Sequence, residues 1–180
     1  MNLPPRTKTL ISLMLLLAAG SASAHPGHGD TGLVNGLMHP LLGLDHWLAM
    51  LGLGVWSRVA GMPAKAFGAV AVSLCVGAFA PLALPAVEPL LATSVLAAGL
   101  MGVAAASLPA WLGLGMAAAF ALVHGHAHGH EMADAAAAAG AIGMSLVLMA
   151  LGWLAGRSGA VRKAAPALLT LAGTGMLALA

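Results

Sequence analysis

Long runs of apolar residues, separated by short polar stretches, dominate the sequence from residue 33 onward. This pattern predicts six helical segments, at about 33–56, 66–84, 88–106, 110–128, 132–156 and 164–180. Proline, glycine and charged residues mark most of the boundaries between the segments. Because a helix needs about 20 apolar residues to cross the hydrocarbon core of a bilayer, we expect an all-α membrane protein, a compact bundle of about six transmembrane helices.

The composition agrees with this fold class and excludes several others. Hydrophobic residues make up 61% of the chain and charged residues only 7%, whereas soluble domains carry about 25% charged residues. The mean hydropathy is +0.98. The single Cys75 excludes a disulfide framework and any multi-cysteine metal site within one chain. The seven Lys and Arg residues form no basic patch, so we expect no nucleic-acid partner.

The first 24 residues have the pattern of a secretory signal peptide. Arg6 and Lys8 give a positive start, residues 10–19 are apolar, and small residues at 22–24 provide a cleavage site. The apolar stretch is too short to span a bilayer, which favours cleavage over an uncleaved first helix. We therefore expect residues 25–180 to form one transmembrane domain whose N-terminus faces the periplasm or the cell exterior.

The positive charges provide an independent test of this orientation. With the N-terminus outside, the connections at 57–65 and 157–163 both lie on the cytoplasmic side. These two connections hold all five positive residues of the mature chain, namely Arg58, Lys65, Arg157, Arg162 and Lys163. The predicted topology therefore obeys the positive-inside rule.

Polar residues form a first cluster within the first predicted span. His39 and His46 are seven residues apart, so a continuous α-helix would place both on one face, two turns apart. Asp45 is displaced by about a third of a turn and could orient an imidazole. Pro40 and Gly43 lie between the histidines and could bend the helix. Ionisable residues within a membrane are costly and are functional by default.

A second cluster ends the fourth predicted span. His124, His128 and Glu131 fall at positions i, i+4 and i+7, on one face of a helix. His126 and His130 form a pair on roughly the opposite side, where they could be surface residues only. A third group of polar residues, His25, His28 and Asp30, could be either a metal-catching arm or a solvated tail.

The depths of the two clusters in the membrane predict where they meet. At 1.5 Å per residue, His39 lies about 9 Å and His46 about 20 Å below the outer surface, while His124 lies about 21 Å above the cytoplasmic surface. Glu88 opens the third span on the outer side as well. We expect five ligands at the outer mouth, His39, Glu88, His124, His128 and Glu131, and two nearer the midplane, Asp45 and His46. Imidazole and carboxylate together suit Ni, Co, Zn, Mn or Fe.

The two clusters together resemble the motifs of the HupE/UreJ family of nickel permeases. The matching motifs are His39-x5-Asp45-His46 and His124-Gly125-x-Ala127-His128-Gly129-x-Glu131. The resemblance extends to the signal peptide, the His-Pro start of the mature chain and Glu88. One position departs from the family pattern, which usually has Phe where this chain has Val123. That change leaves the ligands intact and affects the expected shape of the pore.

The resemblance implies a function and a location. Family members are implied to move Ni²⁺, sometimes Co²⁺, across the bacterial inner membrane and to supply hydrogenase or urease maturation. We therefore expect a multi-pass, non-enzymatic permease with no prosthetic group, for which the metal ion is the substrate. Two alternatives remain open from the residues. The histidines could hold Zn²⁺ for an intramembrane hydrolase, with Glu131 or Asp45 as general base, or the protein could be a sensor that binds ions without moving them.

Overall fold

The structure is a computed structural model that describes residues 31–180, so the predicted signal peptide lies outside the described residues. Seven α-helices and no β-strand occur within these 150 positions. The helices are α1 (Gly32–Met38), α2 (Leu44–Val59), α3 (Pro63–Phe79), α4 (Val87–Val103), α5 (Ala110–Glu131), α6 (Ala135–Ala155) and α7 (Gly159–Leu177). The all-α prediction is confirmed. Helices α5 and α6 are long and apolar enough to cross a membrane, and α3 and α4 are shorter apolar helices.

The first predicted span, 33–56, is wrong as a single helix. It is divided into α1 and α2 by a 3-10 turn over residues His39–Leu41. Pro40 stands at the start of the turn and cannot donate a backbone hydrogen bond to the preceding helical turn. Gly43 then takes an extended conformation, with φ −95° and ψ 117°, and caps the start of α2. His39 and His46 are consequently not stacked on one continuous helical face.

The other helices begin and end near their predicted boundaries for recognisable reasons. Pro63 occupies the first turn of α3, where its missing N–H is not required. The same helix stops at Phe79 rather than near residue 84, because Pro81 cannot continue it and Ala80 is already extended. Asp134 caps α6, accepting a hydrogen bond from the Ala137 backbone N–H at 2.7 Å.

The helices associate as closely packed pairs, with α3 against α5, α4 against α7, and α2 against α6. Glycine permits backbone-to-backbone contact at these crossings. A Cβ added to Gly54 would collide with the Met149 carbonyl group, and one added to Gly125 would collide with the Leu74 carbonyl group. Small residues that allow such close approach are the usual basis of helix packing in membranes. The alanine- and glycine-rich composition therefore serves packing.

Charged residues separate to the two ends of the bundle. The carboxylates of the described residues, Asp45, Glu88, Glu131 and Asp134, lie near one end, at the starts of α2, α4 and α6 and the end of α5. The positive residues lie at the other end, at the ends of α2 and α6 and at the starts of α3 and α7. Between the two ends, the core of the bundle is apolar, and its largest fully buried side chains include Trp56, Met50, Leu53, Met101 and Met149.

Candidate metal centre

The 3-10 turn between α1 and α2 positions the first histidine of the site. Trp47 Nε1 donates a hydrogen bond of 2.9 Å to the Leu41 carbonyl oxygen, which ties the turn to the first turn of α2. A side chain at Gly43 would approach the carboxylate of Asp45 and the ring of His46 to 2.9 Å. Glycine at position 43 therefore leaves room for the Asp45 and His46 side chains, and the break in the helix turns His39 toward the end of α5.

His39, His128 and Glu131 form one group of candidate metal ligands, called the outer group because it is the more exposed of two such groups. Each residue offers one ligand atom, and these atoms lie within 4.8 Å of one another. His39 Nε2 is 2.7 Å from Glu131 Oε2. The side chain of Glu131 is 47% exposed and that of His39 is 22% exposed, whereas His128 is fully buried. This group thus connects the solvent to the interior.

Asp45, His46 and His124 form the inner group of ligands. Their ligand atoms also lie within 4.8 Å of one another. His46 Nδ1 is 3.1 Å from Asp45 Oδ1, close enough for ionic attraction but without hydrogen-bond alignment. The side chains of His46 and Asp45 are 6% and 16% exposed, and His124 is fully buried.

The two groups share no residue but their imidazole rings are in contact. The ring centroids of His46 and His128 are 4.8 Å apart, and those of His46 and His124 are 4.7 Å apart. His39 lies 5.6 Å from His128 and 6.1 Å from His46 by the same measure. The four imidazoles therefore form an unbroken series from the half-exposed end of the site to its buried end.

The prediction that places His124 at the outer mouth is corrected by this geometry. His124 groups with Asp45 and His46, while His128 and Glu131 remain in the outer group. His124 precedes His128 by four residues, about 6 Å along α5 toward the bundle interior, and the position of α5 against α2 brings its ring to 4.7 Å from that of His46. The structure places His39, His128 and Glu131 in the more exposed group and Asp45 and His46 in the more buried one.

Two serines that the sequence analysis does not single out hold the buried histidines. Ser94 Oγ is 2.8 Å from His124 Nε2 and donates its proton to the Leu91 carbonyl oxygen at 2.6 Å. Ser145 Oγ is 3.2 Å from His128 Nε2 and donates to the Ala141 carbonyl oxygen at 2.9 Å. A hydroxyl has one proton, so each serine oxygen accepts from the ring N–H beside it.

This arrangement leaves a lone pair on the opposite ring nitrogen of each histidine. With Nε2 protonated, Nδ1 of His124 and of His128 is the basic nitrogen. Both Nδ1 atoms are buried and have no hydrogen-bond partner among residues 31–180. Both nitrogens of His46 are also buried without an aligned partner in that part of the chain. Buried polar atoms are normally satisfied, so four such nitrogens at one place indicate a ligand.

The remaining histidines of α5 form a separate pair. The ring centroids of His126 and His130 are 4.3 Å apart. His130 is exposed, but His126 is only 3% exposed, so the interpretation of both as surface residues is wrong for His126. Neither of them belongs to the groups of ligands found among the described residues.

Glu88 and Val123 lie beside the site rather than in it. Glu88 is exposed in the first turn of α4 and is absent from both groups of ligands within residues 31–180. It precedes Ser94 by six residues, a rise of about 9 Å along α4, on the outer side of His124. Val123, where the family pattern usually has an aromatic residue, packs with Leu91 and Ala127.

Asp134 closes the outer end of the bundle between α5 and α6. Besides capping α6, its carboxylate accepts a hydrogen bond of 2.9 Å from the Gly32 backbone N–H at the start of α1. The hydrogen bonds from Ala137 and Gly32 hold the pKa of this carboxyl below its usual value. Asp134 therefore ties together the two helices that flank the outer group of ligands.

These features define an all-helical protein with helices able to cross a membrane and a histidine–carboxylate site among them. A profile of the HupE / UreJ protein family matches residues 13–180, and the chain belongs to this family. Protein HupE of Rhizobium leguminosarum bv. viciae is 36% identical over 100 residues, which cover 53% of this chain and 52% of the relative. The chain thus spans about half the length of the curated relative that it matches. No solved structure matches.

Proposed function

We propose that this protein is a permease or facilitator that moves Ni²⁺, and also Co²⁺, across the bacterial inner membrane. The observation that carries the proposal is the series of four imidazoles that links two adjacent groups of ligands. An ion can exchange one set of ligands for the next without crossing an apolar gap between them. Such stepwise exchange suits transport, which requires binding strong enough to select and weak enough to release.

The ligand atoms fit a first-row divalent ion. Imidazole nitrogen and carboxylate oxygen bind such metals at about 2.0–2.2 Å, so two ligands on opposite sides of one ion lie about 4.2 Å apart. The observed limit of 4.8 Å within each group needs only a small contraction to reach this spacing. The donors also suit Co²⁺ and Zn²⁺, and family membership favours nickel. Glu88 is proposed as a further carboxylate that attracts cations at the outer mouth.

We assign six membrane spans to the mature chain, with α1 and α2 together as the first. The acidic end of the bundle then faces the periplasm, and the basic end faces the cytoplasm, as the positive-inside rule requires. In this orientation an inside-negative potential favours inward movement of a dication by about 4.6 kcal/mol per 100 mV. Trp56 and Met149 lie on the cytoplasmic side of His46 and are fully buried, so passage requires these side chains to move.

Residues 1–24 are proposed to be a cleaved signal peptide, which puts the mature N-terminus in the periplasm. The metal that enters would supply maturation of a hydrogenase or a urease, as membership of the family suggests. The protein is non-enzymatic in this proposal, and the ion is its substrate.

The deciding experiment is the time course of radioactive nickel uptake into proteoliposomes, with and without an imposed inside-negative potential. We expect saturable uptake that the potential accelerates and that His124→Ala abolishes. Competition by Co²⁺ and Zn²⁺ would define the selectivity. Nickel binding without uptake by the wild-type protein would overturn the permease proposal and favour a sensor.

One observation favours a second candidate, a zinc-dependent intramembrane hydrolase. The outer group contains two histidines and a glutamate, a ligand set that also occurs in catalytic zinc sites. A resident zinc ion would remain bound through purification, whereas a transported ion should dissociate readily. One tightly held Zn²⁺ per chain in the purified protein would support the hydrolase, and its ready loss to a mild chelator would exclude it.

A further inference from the structure

A cavity of about 480 Å³ opens at the basic end of the bundle, far from the metal centre. It is lined by Arg58 and Val59 at the end of α2, Pro63 at the start of α3, Trp153 in α6 and Arg162 in α7. It is open toward the surface, so part of a larger molecule can enter it. Arg58 is 12 residues beyond His46, a rise of about 18 Å along α2, so the cavity is separate from the ligand groups.

Two guanidinium groups line the cavity, those of Arg58 and Arg162, and a third, that of Arg157, contacts the Trp153 ring from outside the lining. The Arg58 guanidinium lies 5.0 Å and that of Arg157 lies 5.5 Å from the ring centroid of Trp153. Both distances fall within the range of a cation–π interaction. Arg162 Nη1 donates to the carbonyl oxygens of Gly156 and Arg157, at 2.9 Å and 3.1 Å, which fixes its head group beside the other two. Hydrogen bonds and ring contacts thus hold the three positive charges in place.

No carboxylate balances these charges in the part of the chain that the structure describes. The ion pairs within residues 31–180 join His39 to Glu131 and His46 to Asp45, both at the opposite end of the bundle. The helices α3 and α7 also begin at this cavity, and neither has a side chain that caps its free N–H groups. Helix N-termini carry partial positive charge and favour anions. The arginine side chains and the two helix N-termini therefore favour an anionic ligand.

The apolar part of the lining indicates what carries the anion. Val59 is 40% exposed, and Pro63 and the Trp153 ring complete the apolar part of the lining. The planar guanidinium group of arginine matches the oxygens of a phosphate ester. The indole ring and the neighbouring apolar side chains suit the glycerol and acyl chains of a phospholipid. Basic pockets between membrane helices on the cytoplasmic side bind anionic head groups in this way.

We propose that this cavity binds the phosphate group of an anionic phospholipid from the surrounding bilayer. The lipid as source rests on the membrane location given under the proposed function, whereas recognition of phosphate rests on the three arginines alone. The bound lipid would join the ends of α2, α6 and α7, and would stabilise the bundle at the end opposite the metal centre.

The test measures the thermal unfolding midpoint of the purified full chain in a neutral detergent. Phosphatidylglycerol, phosphatidylcholine with the same acyl chains, and inorganic phosphate are added in separate titrations. We expect phosphatidylglycerol to raise the midpoint saturably by about 5 °C, and phosphatidylcholine to have little effect. An equal rise with inorganic phosphate would overturn the lipid as ligand, since the site would then recognise free phosphate.

Matched variants separate a specific site from general attraction of lipid to a basic surface. Arg58→Gln and Arg162→Gln remove charges from the lining of the cavity, whereas Lys163→Gln removes one charge at the same end but outside the lining. Each rise is measured from the variant's own lipid-free midpoint, so a less stable variant remains informative. We expect both arginine variants to lose at least half of the rise and Lys163→Gln to keep it. Equal loss in all three variants would overturn the proposal.

Native mass spectrometry gives a second readout that does not depend on stability. The wild-type chain and Lys163→Gln should each retain one phosphatidylglycerol molecule, and Arg58→Gln should require a several-fold higher lipid concentration to retain it. If the wild-type chain retains the lipid but takes up no nickel, the permease proposal is contradicted and the lipid-site proposal is not.

Discussion

Ser94 accepts a hydrogen bond from Nε2 of His124 while its own proton goes to the Leu91 carbonyl oxygen, and Nδ1 of that histidine therefore faces the inner group of ligands. Ser145 has the same relation to His128 in the outer group. Outer hydrogen-bond partners of this kind fix the tautomer and the orientation of a ligating imidazole. Each group of ligands thus has one histidine that is fixed before any ion arrives.

Ser94→Ala and Ser145→Ala should weaken nickel binding by about 10- to 100-fold, because each histidine loses the group that fixes its tautomer. Titration calorimetry on the purified protein measures the affinity. Ser57→Ala is the matched control, since Ser57 is equally buried and donates to the Gly54 carbonyl oxygen without contacting a histidine. An affinity that falls as much in the control as in the two variants would exclude a positioning role for the serines.

His46→Ala should reduce nickel uptake to the rate of protein-free liposomes. His46 lies between the two groups and touches the rings of both His124 and His128, so its removal interrupts the series of ligands. His130→Ala, a loss of the same side chain from the exposed face of α5, should leave uptake unchanged. Uptake by the two variants at the same rate would show that the ion takes another route.

Gly125→Ala should lower the thermal midpoint, because the added methyl group would collide with the Leu74 carbonyl group at the crossing of α3 and α5. Overpacking of this kind costs about 1–3 kcal/mol. Gly115→Ala in the same helix has nothing within 4 Å of the added carbon and should be neutral or stabilising, since alanine favours a helix. Circular dichroism during heating measures both variants. A midpoint for Gly125→Ala equal to that of Gly115→Ala would contradict the close crossing.

Asp134→Asn should make the stability of the protein less sensitive to acid. The carboxyl has a lower pKa in the folded state than in the unfolded state, so it stabilises the fold fully above the unfolded pKa of about 3.9. This contribution is lost as the pH falls through the folded pKa. Asparagine can still cap α6 but carries no titrating group. The difference in thermal unfolding midpoint between wild type and variant should therefore shrink below about pH 4. A difference that stays constant would contradict the lowered pKa of Asp134.

The sequence predicts most of the helices because apolar runs and their proline and glycine boundaries report local preferences. It does not predict the division of the first span, since Pro40 and Gly43 are both tolerated in bent membrane helices. Whether such a helix bends or breaks depends on packing. Here the close approach of Gly36 to the backbone of α6 holds α1 against that helix, and the hydrogen bond from Trp47 fixes the turn at the start of α2.

The sequence predicts which residues cluster better than it predicts how those residues are arranged. Spacing and depth select His39, Asp45, His46, His128 and Glu131 and place them on the expected sides of the site. His124 differs because its group depends on the rotation and tilt of α5, which are set by contacts with α3 and α4. Ser94 and Ser145 are polar residues within apolar segments, and this is the feature of the sequence that could have identified them as candidates. Which hydroxyl reaches which imidazole follows only from the relative position of three helices.

The glycine crossings have a consequence for how the protein handles its ion. Gly54 joins α2 to α6 at the level of the backbone, and Gly125 joins α5 to α3. His46 belongs to the first of these closely packed helix pairs and His124 to the second. In the proposed permease, an ion bound by both residues would therefore connect the two pairs. If the bound ion stabilises the association of the two helix pairs, their separation must weaken ion binding by the same free energy. In the proposed permease, ion binding and the separation of the two helix pairs are therefore thermodynamically linked.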